Sequence, residues 1–173
     1  MAVREIRYLG DPVLRGKSAP VDQIDDEVRQ LARDLEETMY EADGVGLAAP
    51  QVGVPVRMFA YDVREPESPA GVLINPQIEA TEGSATDEEG CLSIPGVVAD
   101  VERPARVVMS GLDPDGGEVR IEADGVLARC LQHEHDHLDG ILFLDHLSPL
   151  KRKMLLDKWS KRREERPSAA GAS

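Results

Sequence analysis

The chain is predicted to be an α+β domain: mostly antiparallel β-sheets around a central helix that carries an HExxH string, with one helix near the N-terminus and one near the C-terminus. Three observations predict it. Residues 25–43 repeat apolar side chains at helical steps, and the middle of the chain is a series of short Val, Ile and Met runs broken by Gly, Pro and Asp. After those runs comes a second helical stretch holding three of the four histidines.

The first helix rests on Val28, Leu31, Leu35, Met39 and Ala42, and Gly44 supplies its stop. The string GVGLAAPQ at 44–51 has two glycines and a proline in eight residues, so it reads as a loop. Strands are expected at 54–63, 72–78, 97–101, 105–112 and 118–123, and Asp115-Gly116 should close a tight hairpin because it tolerates positive φ. The second helix spans about 124–140 and the third about 149–166. Residues 1–166 form one domain, and the small-residue segment 167–173 is expected to be a disordered tail.

Bulk properties narrow the function. Aromatic residues are only 3% of the 173, so the core is aliphatic. The net charge of −13 opposes a DNA-binding surface over the whole molecule. The stretch 151–166 is the exception, with eight basic residues against three acidic ones, which fits either an interaction arm or a solvated amphipathic helix. No apolar run approaches the ~18 residues of a membrane span, and MAVREIRYLG has no secretory core, so a cytoplasmic protein is expected. Two cysteines do not make a disulfide framework, and either thiol is a possible metal ligand.

The chemistry concentrates on the second helix, in Gln132-His133-Glu134-His135-Asp136-His137. His133 and His137 lie ~40° apart and one turn above each other, so both imidazoles can reach one ion. They share the apolar stripe with Val126 and Cys130, and Glu134 is on the same inward side. A buried carboxylate costs several kcal/mol unless a cation or its water needs it. This phasing favours a metal site over a chance HExxH match on a solvated helix. His135 points the opposite way and, with His146, is read as a surface or structural residue.

A hydrolytic site needs a third protein ligand and an open position. Cys130 is on the right face but ~10 Å along the axis from His137, and helical side chains lean further toward the N-terminus, so it reads as an inert thiol lining the site. Cys91 is the better candidate, in a loop constrained by Gly90 and Pro95.

Three strings, GVGLAAPQ at 44–51, EGCLS at 89–93 and QHEHDHLDG at 132–140, match in order and spacing the motifs of the peptide deformylases. The chain resembles that family from LGDP at 9–12 through the basic C-terminal helix. The resemblance implies that Cys91, His133 and His137 bind the metal and that Glu134 is the general acid and base. It also implies that Gln51 and the Leu92 N–H face the developing oxyanion. Ferrous iron is the implied metal; donor chemistry alone leaves zinc, nickel and cobalt open as well. The implied reaction removes formate from N-formylmethionyl nascent peptides.

Val45, Leu127 and Cys130 are candidates for the methionine pocket or for plain core, with Gly46, Glu89 and Gly90 from the same strings beside them. One departure stands out: Gly96-Val97-Val98 occupies the place where many members carry a basic residue that meets the substrate backbone. Two other readings remain: an HExxH metallopeptidase, and a ribosome- or nascent-chain-binding protein with a structural metal, the latter motivated by the basic helix.

Overall fold

A computed structural model of the chain describes residues 2–165, so Arg166 and the expected tail 167–173 lie outside the described residues. Helix α1 (Asp26–Glu41) starts where Asp25 accepts a hydrogen bond from the Val28 N–H. The stop differs from expectation. Asp43, not Gly44, takes the left-handed φ of 57°, while the Gly44 N–H closes back onto the Met39 carbonyl.

Seven strands follow: β1 (Gly46–Ala48), β2 (Met58–Tyr61), β3 (Gly71–Glu82), β4 (Ala85–Cys91), β5 (Ile94–Arg103), β6 (Arg106–Leu112) and β7 (Glu118–Asp124). β1, β2, β3, β6 and β7 make one antiparallel sheet in that order, and β4 and β5 make a separate hairpin. The Asp115-Gly116 turn joins β6 to β7 as expected, with Gly116 at φ 87°. Helices α2 (Gly125–Leu138) and α3 (Pro149–Glu165) complete the order.

Two strands escaped the sequence reading for different reasons. β1 lies inside the glycine-rich string, where Gly46-Leu47-Ala48 is held flat by pairing with β2 rather than by propensity. β4 is ATDEEGC, an acidic strand whose outer face is solvated. The run expected at 54–63 narrows to Met58–Tyr61 because 54–57 is irregular.

β2 explains the layering. All four of its residues are buried: Phe59 and Tyr61 pack in the cluster shared with α2, and Met58 and Ala60 in the cluster shared with α1. A strand covered on both faces loses the polar alternation of a half-exposed one. Side chains as fully buried as Phe59 or Leu35 contribute ~1.5–3 kcal/mol each. A third cluster seats Trp159 of α3 against Ile94, Val97 and Val101 of β5. α2 thus lies between the five-stranded sheet and the β4–β5 hairpin.

Candidate metal centre

Cys91 reaches α2 because of a break in the hairpin ladder. Gly90 pairs with Val98, but Cys91 pairs with Ile94, so Pro95, Gly96 and Val97 bulge from β5 with Gly96 at φ 81°. Such a bulge re-aims the side chains beside it. Cys91 Sγ lies 3.5 Å from His137 Nε2, which is 3.2 Å from His133 Nε2. All three donor atoms fall within 4.8 Å of one another, and among the described residues no fourth ligand joins the cluster.

His133 is oriented from behind, whereas His137 Nδ1 is buried without a hydrogen-bond partner. Glu89 Oε1 accepts from His133 Nδ1 at 2.8 Å, so the proton sits on Nδ1 and the Nε2 lone pair faces the cluster. Burial alone would raise the Glu89 carboxyl, but hydrogen bonds from His133 and Arg103 pull it well below the usual carboxylate range. Arg103 donates Nε and Nη2 to Glu89, Nη1 to Asp136 at 2.9 Å, and Asp136 also meets His146 at 2.8 Å. Arg129 adds a further bond to Glu89 at 2.7 Å. A lone buried carboxylate or guanidinium would be costly, and here each has its partners.

Glu134 differs from that network. Its Oε1 is buried without a hydrogen-bond partner, and burial pushes its carboxyl up to about 7. The carboxylate lies against Gly46, where a Cβ would come within 2.8 Å of its Cδ and Cγ. Gln51 accepts from the Ala48 N–H through Oε1 at 2.9 Å, which turns its amide NH2 toward Ser93 Oγ at 3.0 Å and Cys91 Sγ at 3.6 Å. The Leu92 N–H makes no hydrogen bond among the described residues.

A cleft of about 480 Å³ opens onto these groups, with Val45, Gly46, Gly90 and Cys130 along its walls. Leu127 is not among the lining residues; it packs in the core, and its neighbour Val126, 49% exposed, faces the cleft instead. The sequence places Val126 on the apolar stripe of this helix without marking it as a pocket residue. Glu89 borders the cleft, yet its two oxygens are committed to Arg103, Arg129 and His133. Cys130 is outside the ligand cluster and donates to the Val45 carbonyl at 3.3 Å, while burial pushes its thiol well above the ordinary value, as expected of an inert cysteine. His135 faces a separate depression with Arg57 and Asp139. Arg103, Arg129 and Ser93 were missed as site residues; Ser93 lies inside the EGCLS string, whereas Arg103 and Arg129 carry no local signal in the sequence.

One thiolate and two imidazoles suit a divalent transition metal, and the lone-pair orientation of His133 fits a ligand role. A three-ligand cluster with an HExxH glutamate beside it, at the floor of a cleft, is the architecture of a metallohydrolase. The family described as polypeptide deformylase matches residues 3–153. The peptide deformylase of Brucella suis biovar 1 (strain 1330) is 49% identical over 172 residues, covering 97% of this chain and 98% of that protein. The crystal structure of a peptide deformylase from Legionella pneumophila superimposes with a TM-score of 0.90 at 43% identity, covering 95% of this chain and 98% of that one. That of Synechococcus elongatus, in complex with actinonin, gives 0.84 at 50% identity over 90% of this chain and 86% of that one. The chain belongs to the polypeptide deformylase family.

Proposed function

We propose that this enzyme hydrolyses the formyl amide of N-formylmethionyl nascent peptides in the cytoplasm, with Cys91, His133 and His137 holding a ferrous ion. The convergence of those three donor atoms within 4.8 Å beneath an open cleft carries the reading. A bound divalent ion supplies a Lewis acid and lowers the pKa of its water toward neutrality. Zinc, nickel or cobalt satisfies the same donors.

The chain's own residues do the rest. Glu134, fixed against Gly46 and free of competing hydrogen bonds, takes the proton of the attacking water and returns it to the methionine nitrogen as formate leaves. The Gln51 amide NH2 and the Leu92 N–H donate to the carbonyl oxygen as it gains charge, and losing one such donor typically costs ~10² to 10³ in rate. Val45, Val126 and Cys130 offer the methionine side chain an apolar wall.

A substrate series tests this against the peptidase reading. Formyl-methionyl peptides should release formate while blocked internal peptide bonds stay intact; cleavage of internal bonds would replace deformylation with endopeptidase chemistry. A structural metal closed by four ligands is disfavoured by the three-membered cluster. Ribosome docking through α3 is compatible with catalysis: Leu150 and Met154 are exposed among its basic residues. Because Trp159 is part of the core, the test reverses the exposed Lys151, Lys153, Lys158 and Lys161 to Glu rather than deleting the helix. Ribosome co-sedimentation should fall, and more steeply as salt rises; unchanged sedimentation would remove the docking role.

A further inference from the structure

Asp43 and Arg64 both hold the left-handed backbone that residues with a side chain seldom adopt, at φ 57° and 58°. They are bonded across 21 residues of sequence: Arg64 Nη1 donates to Asp43 Oδ1 at 3.2 Å, and Nη2 donates to the Gly44 carbonyl at 3.0 Å. The turn carrying Arg64 is set by Asp62, whose Oδ1 accepts from the Arg64 N–H at 2.8 Å and whose Oδ2 accepts from the Tyr40 hydroxyl at 2.7 Å. That second bond pushes the Tyr40 hydroxyl pKa up to about 12, which keeps it a donor, and the Arg64 guanidinium lies 5.8 Å from the centre of the same ring. The end of α1, the turn after β2 and the Asp43-Gly44 link are thus tied at one point.

What is tied is a wall of the cleft, which Asp43, Gly44, Val45 and Gly46 line in succession. The β1–β2 ladder holds Gly46 opposite Tyr61 and reaches one step further, where the Asp62 N–H donates to the Val45 carbonyl at 2.8 Å. Past Val45 the ladder ends, and among the described residues Arg64 alone fastens Asp43 and Gly44 toward the β2 side. The wall has no room to move inward, because a Cβ on Gly44 would already come within 2.7 Å of Leu92 Cδ1. It can only swing outward. An exposed ion pair alone holds little, but this guanidinium also takes a backbone carbonyl, and both of its bonds close on residues that line the cleft.

We propose that Arg64 is a positioning residue: it straps the 43–45 wall inward so that Val45 closes on the methionine side chain, and the strap sets how strongly methionine is preferred over a smaller first residue. This rests on the cleft being the deformylase substrate site. Gly46, and with it the Glu134 carboxylate packed on it, is held by the ladder and not by the strap. Loss of Arg64 therefore weakens a contact made equally in ground and transition states, which acts on KM rather than kcat.

The test compares formyl-Met-Ala-Ser with formyl-Ala-Ala-Ser on wild type, Arg64→Met and Arg64→Lys. Arg64→Met should raise KM for the methionyl peptide by roughly three- to ten-fold at unchanged kcat, short of the ~10- to 200-fold that a wholly lost methylene contact can cost. The alanyl peptide, whose methyl stops short of the wall, should change by less than about two-fold, so the preference for methionine in kcat/KM falls. Arg64→Lys keeps a donor for one of the two partners and should recover part of that preference. An equal preference in wild type and Arg64→Met, whether both peptides are unaffected or both fall together, would overturn the positioning role of Arg64 alone. Wild type inactive on the methionyl peptide would instead overturn the deformylase reading on which it rests.

Discussion

Helices α2 and α3 are of similar length and both are rich in polar or titratable residues, yet they differ in what their side chains face. In α2 nine of fourteen residues are buried, including Gln132, His133, Glu134 and His137. In α3 Trp159 alone is buried among residues up to Arg163. Polar side chains held inside must each find a partner or a task, whereas those on a solvated helix need neither. An interior charge is therefore informative, and a surface charge acquires meaning only from what approaches it.

That difference can be broken from its strongest point downward. Cys91→Ala should abolish both metal retention and formate release, because two imidazoles on one helix turn are left to hold the ion. Metal analysis checks it, and a full equivalent in the variant would remove Cys91 from the ligand set. Next in size, Arg103→Met strips Glu89 and Asp136 of their shared cation, and breaking a buried pair on one side costs ~3–5 kcal/mol. Urea unfolding should show that loss in the metal-free protein too.

Glu89→Gln acts more gently on the ligand itself. With a neutral amide behind His133 Nδ1, metal affinity should weaken ~10- to 100-fold in competition with a chelator while the fold persists. An unchanged affinity would mean that Glu89 serves packing alone. At the far end of the scale, Leu150→Ala and Met154→Ala on the exposed face of α3 should stay within ~0.5 kcal/mol of wild type in thermal unfolding. A larger loss would show that this face is covered in solution.

The same contrast decides what the sequence disclosed. Helical phase alone placed His133, Glu134 and His137 inward, since a buried polar residue on an apolar stripe is visible as an exception to the pattern. Cys91 stood out from its loop between Gly90 and Pro95 as the better third-ligand candidate, but its meeting with α2, and the roles of Gln51 and Leu92, required the family resemblance, because nothing local to a glycine-bounded loop says which helix it will meet. β1 stayed hidden because pairing, not residue preference, makes it a strand, and β4 because its acidic, solvated residues lack an apolar run. Leu127 takes the plain-core alternative while its neighbour Val126 meets the cleft, because helical phase does not say which edge of an apolar stripe is covered by sheet and which by solvent. Arg103 and Arg129 stand 14 and 40 residues from Glu89, beyond any local pattern.

The most direct test of the central claim is formate release from formyl-Met-Ala-Ser by protein purified without oxygen and reloaded with ferrous iron, with Glu134→Ala measured beside wild type. Release by wild type, with a fall of at least ~10²- to 10⁴-fold in the variant at equal metal content, is the predicted result. Equal release by both would contradict the assignment of Glu134 as the proton carrier, and no release by metal-loaded wild type would contradict the proposed reaction.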